Sequence, residues 1–333
     1  MLQKKLIHNY KDIILIFLLS SFSFLINYHY GFIGMMPMDN TVLFNGGYRV
    51  LNDYIPFSDY WLVTGPLLDY LNEFFFKIFG ISWSTFIIHS SIFNLIIAIS
   101  SYFFFNKMGL LNYFSFIYSL LISVLFYPVV GTPFVDHHST FFLILAFYSF
   151  ILAIKLKKNY YYIFIPTILS LSFLSKQTPA AYGSIALIAL ILLICIYKKK
   201  ERKEILNKSI IGTIIALSFV SLFFLFTKIN LADFIEQYIY FASSIGEGRL
   251  ENYNFSIFNE IIKYKFLFYF IFLLILISIK LIIQNILNID HFFIILSSII
   301  FVLLMIFHQS ISLNQNYIFF FNTISLWYLS LLL

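Results

Sequence analysis

Long apolar runs alternate with short polar and basic segments along almost the whole chain. Each run is close to the ~20 residues that an α-helix needs to cross the hydrocarbon core of a bilayer. The pattern therefore predicts an all-α integral membrane protein with about ten transmembrane helices. The predicted spans are residues 13–33, 84–105, 110–127, 139–155, 160–174, 180–197, 209–227, 266–284, 292–307 and 317–333.

The composition agrees with this fold class. Of the 333 residues, 61% are hydrophobic and only 11% are charged, and the mean hydropathy is +0.91. Soluble domains carry about 25% charged residues, so this chain has too few charges for a water-exposed globule, a disordered chain or a coiled coil. Cys195 is the only cysteine in the sequence, which excludes a disulfide framework and a cysteine-based zinc site.

The basic residues predict the orientation of the spans. The first span follows Lys4, Lys5 and Lys11 and lacks a small-residue cleavage site, so it is interpreted as an uncleaved signal anchor. With the N-terminus inside, 14 of the 21 Lys and Arg residues face the cytoplasm, and residues 198–208 give the strongest signal. These basic residues flank membrane spans, so they do not indicate a nucleic-acid partner. The alternative for the run 198–203 is a patch for anionic membrane lipids.

The acidic residues have the opposite distribution. In this topology 11 of the 15 Asp and Glu residues lie on the outer face, although carboxylates contribute little to topology. This excess indicates chemistry on the outer face, where residues 34–83 and 228–265 form two long loops in a single polytopic domain, 1–333. The second loop contains the glycine-bearing segment 243–249, which could close over a substrate. The chain stops within an apolar run at residues 331–333, as a C-terminally truncated protein would.

Two short features lie in the first outer loop. Asp39 follows the first span directly and is either a solvated loop residue or a site residue. Residues 52–61 alternate turn formers with aromatic residues, and an amphipathic helix is predicted to begin at Pro66. Because Trp and Tyr concentrate at bilayer interfaces, an interfacial cap is the alternative interpretation of this loop.

Two further features lie at the outer ends of later spans. Asp136, His137 and His138 place three ionisable groups in a row, which is costly at membrane depth unless they serve a site. Asp136 with His137 could hold a divalent metal, but adjacent helix residues point in different directions, so the run does not predict a complete zinc site. Lys176 either extends to the bilayer interface or binds a lipid phosphate.

The order and spacing of these features, with Pro56-Phe57-Ser58-Asp59 and Gly65-Pro66-Leu67 in the first loop, resemble the GT-C glycosyltransferases over about residues 13–200. The branch related to protein O-mannosyltransferases and aminoarabinose transferases is the most similar. The resemblance implies a GT-C-like fold with a long helical first outer loop and transfer of a sugar from a polyprenyl-phosphate donor. The acceptor is an unspecified glycan, lipid or protein, and the predicted location is the outer face of a bacterial inner membrane.

The same resemblance implies roles for individual residues. Asp39 would be the general base, and Asp136 would orient the acceptor or hold Mg²⁺ or Mn²⁺ beside His137 or His138. Many relatives have two acids where this sequence has Asp39-Asn40, which weakens a metal site. Lys176 would contact the donor phosphate, with Arg249 as a second phosphate contact. The remaining residues expected around the substrate are Asp59, Tyr60 and Gln177.

Two other function classes stay open from the sequence. A transporter or polymerase of lipid-linked oligosaccharides would favour charges inside the spans around a central cavity, whereas most acids here lie at the outer ends. A non-catalytic membrane partner would scatter these residues. The glycosyltransferase hypothesis instead requires Asp39, Asp136 and Lys176 to meet at one cavity on the outer face.

Overall fold

A computed structural model describes residues 2–33, 37–251, 253, 256–284 and 288–312, and these residues are overwhelmingly helical. A single 3₁₀ turn, Tyr127–Val129, and a π-helix, Ile235–Phe241, interrupt the α-helices of the described chain. The α-helices are α1 (Leu2–Tyr30), α2 (Pro37–Leu51), α3 (Leu67–Phe79), α4 (Trp83–Met108), α5 (Asn112–Leu125), α6 (Val135–Leu156), α7 (Tyr161–Ser175), α8 (Gln177–Tyr197), α9 (Arg202–Thr227), α10 (Leu231–Phe234), α11 (Ala242–Glu251), α12 (Ile257–Lys263), α13 (Lys265–Ile283) and α14 (Ile289–Ser312).

Eight of these helices are long and apolar enough to cross a membrane, namely α1, α4, α5, α6, α8, α9, α13 and α14. Helix α7 is apolar but shorter. The predicted class, an all-α integral membrane protein, is confirmed, and nine of the predicted spans coincide with these helices. The tenth predicted span, residues 317–333, lies outside the described residues.

The two ends of the bundle differ in chemistry. At one end the turn between α8 and α9 meets the start of α14, where Lys198 Nζ lies 2.5 Å from Asp290 Oδ1. The basic segment 198–203 belongs to this end. The opposite end carries α2, α3 and the helices from α10 to α12, so both predicted outer loops lie together there.

The first outer loop is folded rather than extended. Helix α3 begins directly after Pro66, as predicted, and it buries Leu68 and Phe76 against α2 and α4. The side-chain amide of Asn72 donates a hydrogen bond to the carbonyl of Leu43 at 3.1 Å, which fixes α3 against α2. The loop is therefore a small helical layer at this end of the bundle.

Helix α6 lies at the centre of the bundle, and most of its residues are buried. Its neighbours include α4, α7, α8 and α14. The rings of Phe147 on α6 and Phe301 on α14 stack with centroids 4.6 Å apart. This contact holds α14 alongside α6, so the C-terminal part of α14 runs toward the first turn of α6.

Gly65 allows the first outer loop to touch the end of α7. Its backbone N–H donates to the carbonyl of Ser175 at 3.1 Å, and a Cβ atom at this position would lie 1.9 Å from the carbonyl oxygen of Leu174. Only glycine permits so close an approach without a shift of one backbone. The contact places the loop directly beside Lys176.

Candidate functional site

Lys176 lies in an extended conformation (φ −159°, ψ 138°) between α7 and α8. This break in the helix places the lysine at the level of the first turn of α6. Its ammonium nitrogen donates to Oδ2 of Asp136 at 2.5 Å. Asp136 lies at the N-terminal end of α6, where the helix dipole favours a negative charge.

His308 on α14 completes this contact. Its Nε2 atom lies 2.9 Å from Oδ1 of Asp136, so the carboxylate is bonded through both oxygens. Because a carboxylate only accepts, the proton on the ring is assigned to Nε2. We call Lys176, Asp136 and His308 the Asp136 cluster.

The Asp136 cluster forms part of the wall of a cavity of about 1190 Å³ at the end of the bundle that carries the outer loops. Pockets for small-molecule ligands are typically about 300–1,000 Å³, so this cavity has room for a large amphipathic substrate. Apolar side chains such as Phe173 and Ile245 contribute much of the remaining wall. The predicted site residues that line the cavity are Asp39, Asp136, Lys176, Gln177 and Arg249.

Asp39 and its neighbour Asn40 have separate surroundings. The side chain of Asp39 is exposed and lines the cavity. Asn40 is fully buried, and its side-chain oxygen accepts a hydrogen bond from the Thr132 hydroxyl at 2.9 Å. Asn40 therefore anchors the start of α2 to the turn before α6, which leaves Asp39 at the cavity surface.

Gln177 joins the two outer loops. Its amide nitrogen donates to the backbone carbonyls of Val63, at 2.9 Å, and Tyr238, at 3.0 Å. Gln237 makes a parallel link, because its amide bonds the carbonyl of Phe57 at 2.6 Å and the backbone N–H of Leu62 at 3.0 Å. Although Gln177 also lines the cavity, both donors of its amide are used to hold the wall together.

Asp59 and Tyr60 do not belong to the described wall of the cavity. The exposed Asp59 carboxylate accepts from the backbone N–H of Ile55 at 2.6 Å, so it closes a local turn. Tyr60 donates its hydroxyl proton to Oδ2 of Asp69 at 2.7 Å, and the guanidinium carbon of Arg49 lies 4.9 Å from the centre of its ring. Both residues act within the fold of the first outer loop.

Asp69, Tyr60 and Arg49 form a second group, which we call the Asp69 cluster. Asp69 is 1% exposed. Burial raises the pKa of Asp69 to about 7, against the opposing effects of the Tyr60 hydrogen bond and the Arg49 charge. Burial and the neighbouring Asp69 also raise the pKa of Tyr60. The Asp69 carboxyl is therefore much harder to ionise than an exposed one.

His137 and His138 face away from the cavity. Both are fully buried, with Nε2 of His138 3.0 Å from Nε2 of His89 and the His137 ring packed beside the Tyr127 ring at 5.6 Å. Successive residues on an α-helix point about 100° apart, so the side chains that follow Asp136 point into the core of the helix bundle. The expectation that these histidines neighbour the substrate is not met by this geometry.

The same residues do not fit a divalent metal. Both carboxylate oxygens of Asp136 already bond donor nitrogens, and His137 lies on another side of α6. Within the described part of the chain, no group of three or more His, Cys, Asp or Glu side chains is placed to hold a metal ion. We therefore assign no metal to the Asp136 cluster.

Arg249 lies on a helix rather than in the glycine-rich loop expected from the sequence. Helix α11 continues the π-helix Ile235–Phe241 and contains both Gly246 and Gly248. Neither glycine has a neighbour within 4 Å of a Cβ position, so no close contact forces the chain out of helical geometry. Arg249 is exposed and lines the cavity from this helix.

His308 was missed by the sequence analysis. The predicted span ends at residue 307, just before His308 and Gln309, whereas α14 continues to Ser312. Both residues are buried and both line the cavity. The available signal was an ionisable residue at the end of an apolar run, which marks a functional site more often than chance.

Comparison with known proteins adds no relative. No protein-family model matches this chain, and neither the curated proteins nor the solved structures include a significant match.

Proposed function

We propose that this protein is a membrane glycosyltransferase of GT-C type, which moves a sugar from a polyprenyl-phosphate carrier to an acceptor on the outer face of a bacterial inner membrane. The proposal rests on the sequence resemblance together with one structural observation. An exposed carboxylate, Asp39, and two cationic side chains, Lys176 and Arg249, line one partly apolar cavity.

This cavity matches the chemical demands of the reaction. Transfer from a phosphate carrier needs a proton acceptor for the attacking hydroxyl and positive charge for the departing phosphate. A polyprenyl carrier also needs apolar surface beside the charged groups, and residues such as Val42, Phe173 and Leu250 supply it. A transporter needs no general base, so Asp39 favours the transferase.

Asp39 is the proposed general base. The acceptor oxygen would form a bond to the anomeric carbon as the bond from that carbon to the phosphate oxygen breaks. The electron pair of the broken bond leaves on the phosphate, and the hydroxyl proton moves to the Asp39 carboxylate. A single displacement of this kind inverts the configuration at the anomeric carbon.

Lys176 and Arg249 are the proposed contacts of the donor phosphate. Lys176 acts as a compact point charge with three N–H donors, one of which is used by Asp136. Arg249, on α11, approaches from the second outer segment. Asp136 is then the residue that holds Lys176 in place, which replaces the acceptor-orienting or metal-binding role expected from the resemblance.

The function is tested by sugar transfer in membranes that contain the protein. Lys176→Ala should raise the KM for the polyprenyl donor, and Lys176→Arg should retain part of the donor affinity. Lys77→Ala is the matched control, because Lys77 is an exposed lysine of the first outer loop that pairs with Glu73 outside the cavity. Mass spectrometry of surface glycans and lipids in a deletion strain would identify the sugar; unchanged glycans and lipids would contradict the proposal.

The orientation of the cavity is tested separately. After replacement of the buried Cys195, single cysteines at Ser58 and Lys203 report on the two ends of the bundle. A membrane-impermeant thiol reagent should label position 58 from outside and position 203 only from the cytoplasm. Labelling of position 58 from the cytoplasm alone would place the cavity on the wrong side for this reaction.

A further inference from the structure

We infer that His308 is a positioning residue for the donor site, and that it acts through Asp136 on the ammonium group of Lys176. The inference rests on the proposed function, because it concerns how that reaction binds its donor. His308 lies 172 residues from Asp136 in the sequence, and it is the contribution of α14 to the cluster.

The Asp136 cluster is largely buried. The side chains of Asp136 and His308 are 8% and 3% exposed, and that of Lys176 is 20% exposed. A carboxylate at such depth is costly unless donors satisfy its oxygens. Lys176 donates a hydrogen bond to Oδ2 of Asp136 and His308 donates one to Oδ1, so each carboxylate oxygen has its own donor.

The His308 bond to Asp136 also affects Lys176. Without the His308 bond, Asp136 would be free to turn both oxygens toward the ammonium group. Lys176 would then be held in a tighter ion pair, and a donor phosphate would have to compete with the carboxylate for it. The His308 bond keeps Oδ1 away from Lys176, which leaves ammonium N–H groups for a phosphate in the cavity.

A positioning role for His308 differs in its consequences from a general-base role and from a purely structural role. If His308 were the general base, any replacement of the ring would lower kcat at saturating donor. A residue that only packs α14 against α6 would instead affect stability and leave donor binding unchanged. A positioning residue weakens donor binding and is rescued by a side chain that still donates to Asp136.

The experiment uses the full chain in lipid nanodiscs and measures the Kd of polyprenyl phosphate. His308→Gln keeps an amide N–H at about the reach of Nε2, whereas the amide of His308→Asn is too short to reach Asp136. The matched control is His291→Asn, since His291 lies on the same helix at the opposite end of the bundle. Loss of a hydrogen bond to a charged group should weaken binding about tenfold or more in the Asn variant. We expect the Gln variant to stay within about threefold of wild type, and the control to be unchanged.

The outcomes are distinct. Equal Kd values for wild type and His308→Asn would overturn the inference, as would a loss of kcat at saturating donor in His308→Gln. Should His308→Asn fail to insert, His308→Leu takes its place, because leucine fills part of the space of the ring but cannot donate a hydrogen bond to Asp136. An unchanged Kd in that variant would overturn the inference. Wild-type protein that does not bind polyprenyl phosphate would instead contradict the proposed function itself.

Discussion

Asp69 and Asp136 are both buried carboxyl groups at the end of the bundle that carries the cavity. The surroundings of Asp136 stabilise a negative charge, whereas those of Asp69 disfavour it. Asp136 bonds the cationic Lys176 and the ring of His308, and it lines the cavity. Asp69 accepts a hydrogen bond from the neutral hydroxyl of Tyr60, and it does not belong to the described wall of the cavity. Its side chain packs against α2, where a Cβ atom at Gly46 would lie 2.2 Å from Oδ1.

One acid therefore bonds a cation at the cavity wall, and the other bonds a neutral hydroxyl outside the described wall. A carboxylate paired with a cation keeps its charge and can hold that cation in a working position. A buried carboxyl with a neutral donor tends to stay protonated, and the pKa of Asp69 accordingly rises to about 7. Asp69 therefore bonds within the fold, whereas Asp136 holds the Lys176 ammonium group at the cavity wall.

The largest effect on activity is expected from Asp39, the exposed carboxylate that belongs to neither the Asp136 cluster nor the Asp69 cluster. Asp39→Asn keeps the shape of the side chain and removes the proton acceptor. General-base contributions are typically about 10²–10⁴-fold, so kcat should fall by that factor while donor Kd stays close to wild type. Transfer assays on membranes with matched protein levels measure this change.

Asp39→Glu is the control for this prediction. The carboxylate survives at a different reach, so a trace of activity should remain. Wild-type turnover by Asp39→Asn would remove Asp39 from the mechanism. It would also weaken the division between exposed and buried acids, since a buried acid would then have to act on the substrate.

The matched substitutions Asp136→Asn and Asp69→Asn test whether the two buried acids differ in this way. Asp136→Asn leaves Lys176 without its counter-ion, and loss of one partner of a buried ion pair costs roughly 3–5 kcal/mol. At pH 5.5, below the pKa of about 7, Asp69→Asn replaces a mostly neutral carboxyl by a neutral amide, so its cost at that pH should stay below about 1 kcal/mol. Thermal stability in nanodiscs checks both values, and equal losses would erase the distinction.

The ionisation of Asp69 predicts a pH dependence. An unfolded carboxyl ionises near its usual value of 3.8, whereas the folded group ionises near 7. Between these values the unfolded state binds fewer protons, so the free energy of unfolding falls as the pH rises. From pH 5.5 to 7.5 the loss should be about 2 kcal/mol, from 1.36 kcal/mol per pKa unit.

Hydrogen exchange in α2 and α3 measures this loss, because the Asp69 cluster lies between those helices and the residues before α3. Exchange should become faster as the pH rises, beyond the intrinsic increase in exchange rate. Asp69→Asn is the control, and it should remove most of the excess. An excess that survives in Asp69→Asn would assign the pH dependence to another group.

Hydropathy predicts most of the spanning helices, but it does not predict α2, which is stabilised by tertiary contacts. The segment Pro37–Leu51 has few consecutive apolar residues and contains the adjacent Gly46 and Gly47, so its hydropathy does not predict a helix, and only the family resemblance implies a helical first outer loop. In the structure it is α2, and the small residue at position 46 accommodates the Asp69 side chain. A sequence pattern does not contain that contact, because it depends on the packing of α3.

Residues of the cavity wall could be predicted from the sequence only where they occur at conspicuous turns. Asp39, Asp136 and Lys176 stand at the ends of apolar runs, and all three line the cavity. His137 shares the motif of Asp136, yet helical rotation directs it into the core. His308 required a contact across the chain, which sequence spacing alone does not supply.

The smallest expected effect comes from Tyr60, which the resemblance placed near the substrate. Tyr60→Phe removes the hydroxyl that bonds Asp69, and a lost hydrogen bond of this kind costs about 1 kcal/mol. Since that bond lowers the pKa of Asp69, its loss should move the pH-dependent exchange of α2 and α3 to higher pH. The KM for the donor should not change, because Tyr60 bonds within the Asp69 cluster and not in the described cavity wall. A several-fold rise in donor KM without a shift in the exchange profile would contradict this prediction. It would indicate that Tyr60, and with it the Asp69 cluster, contacts the substrate.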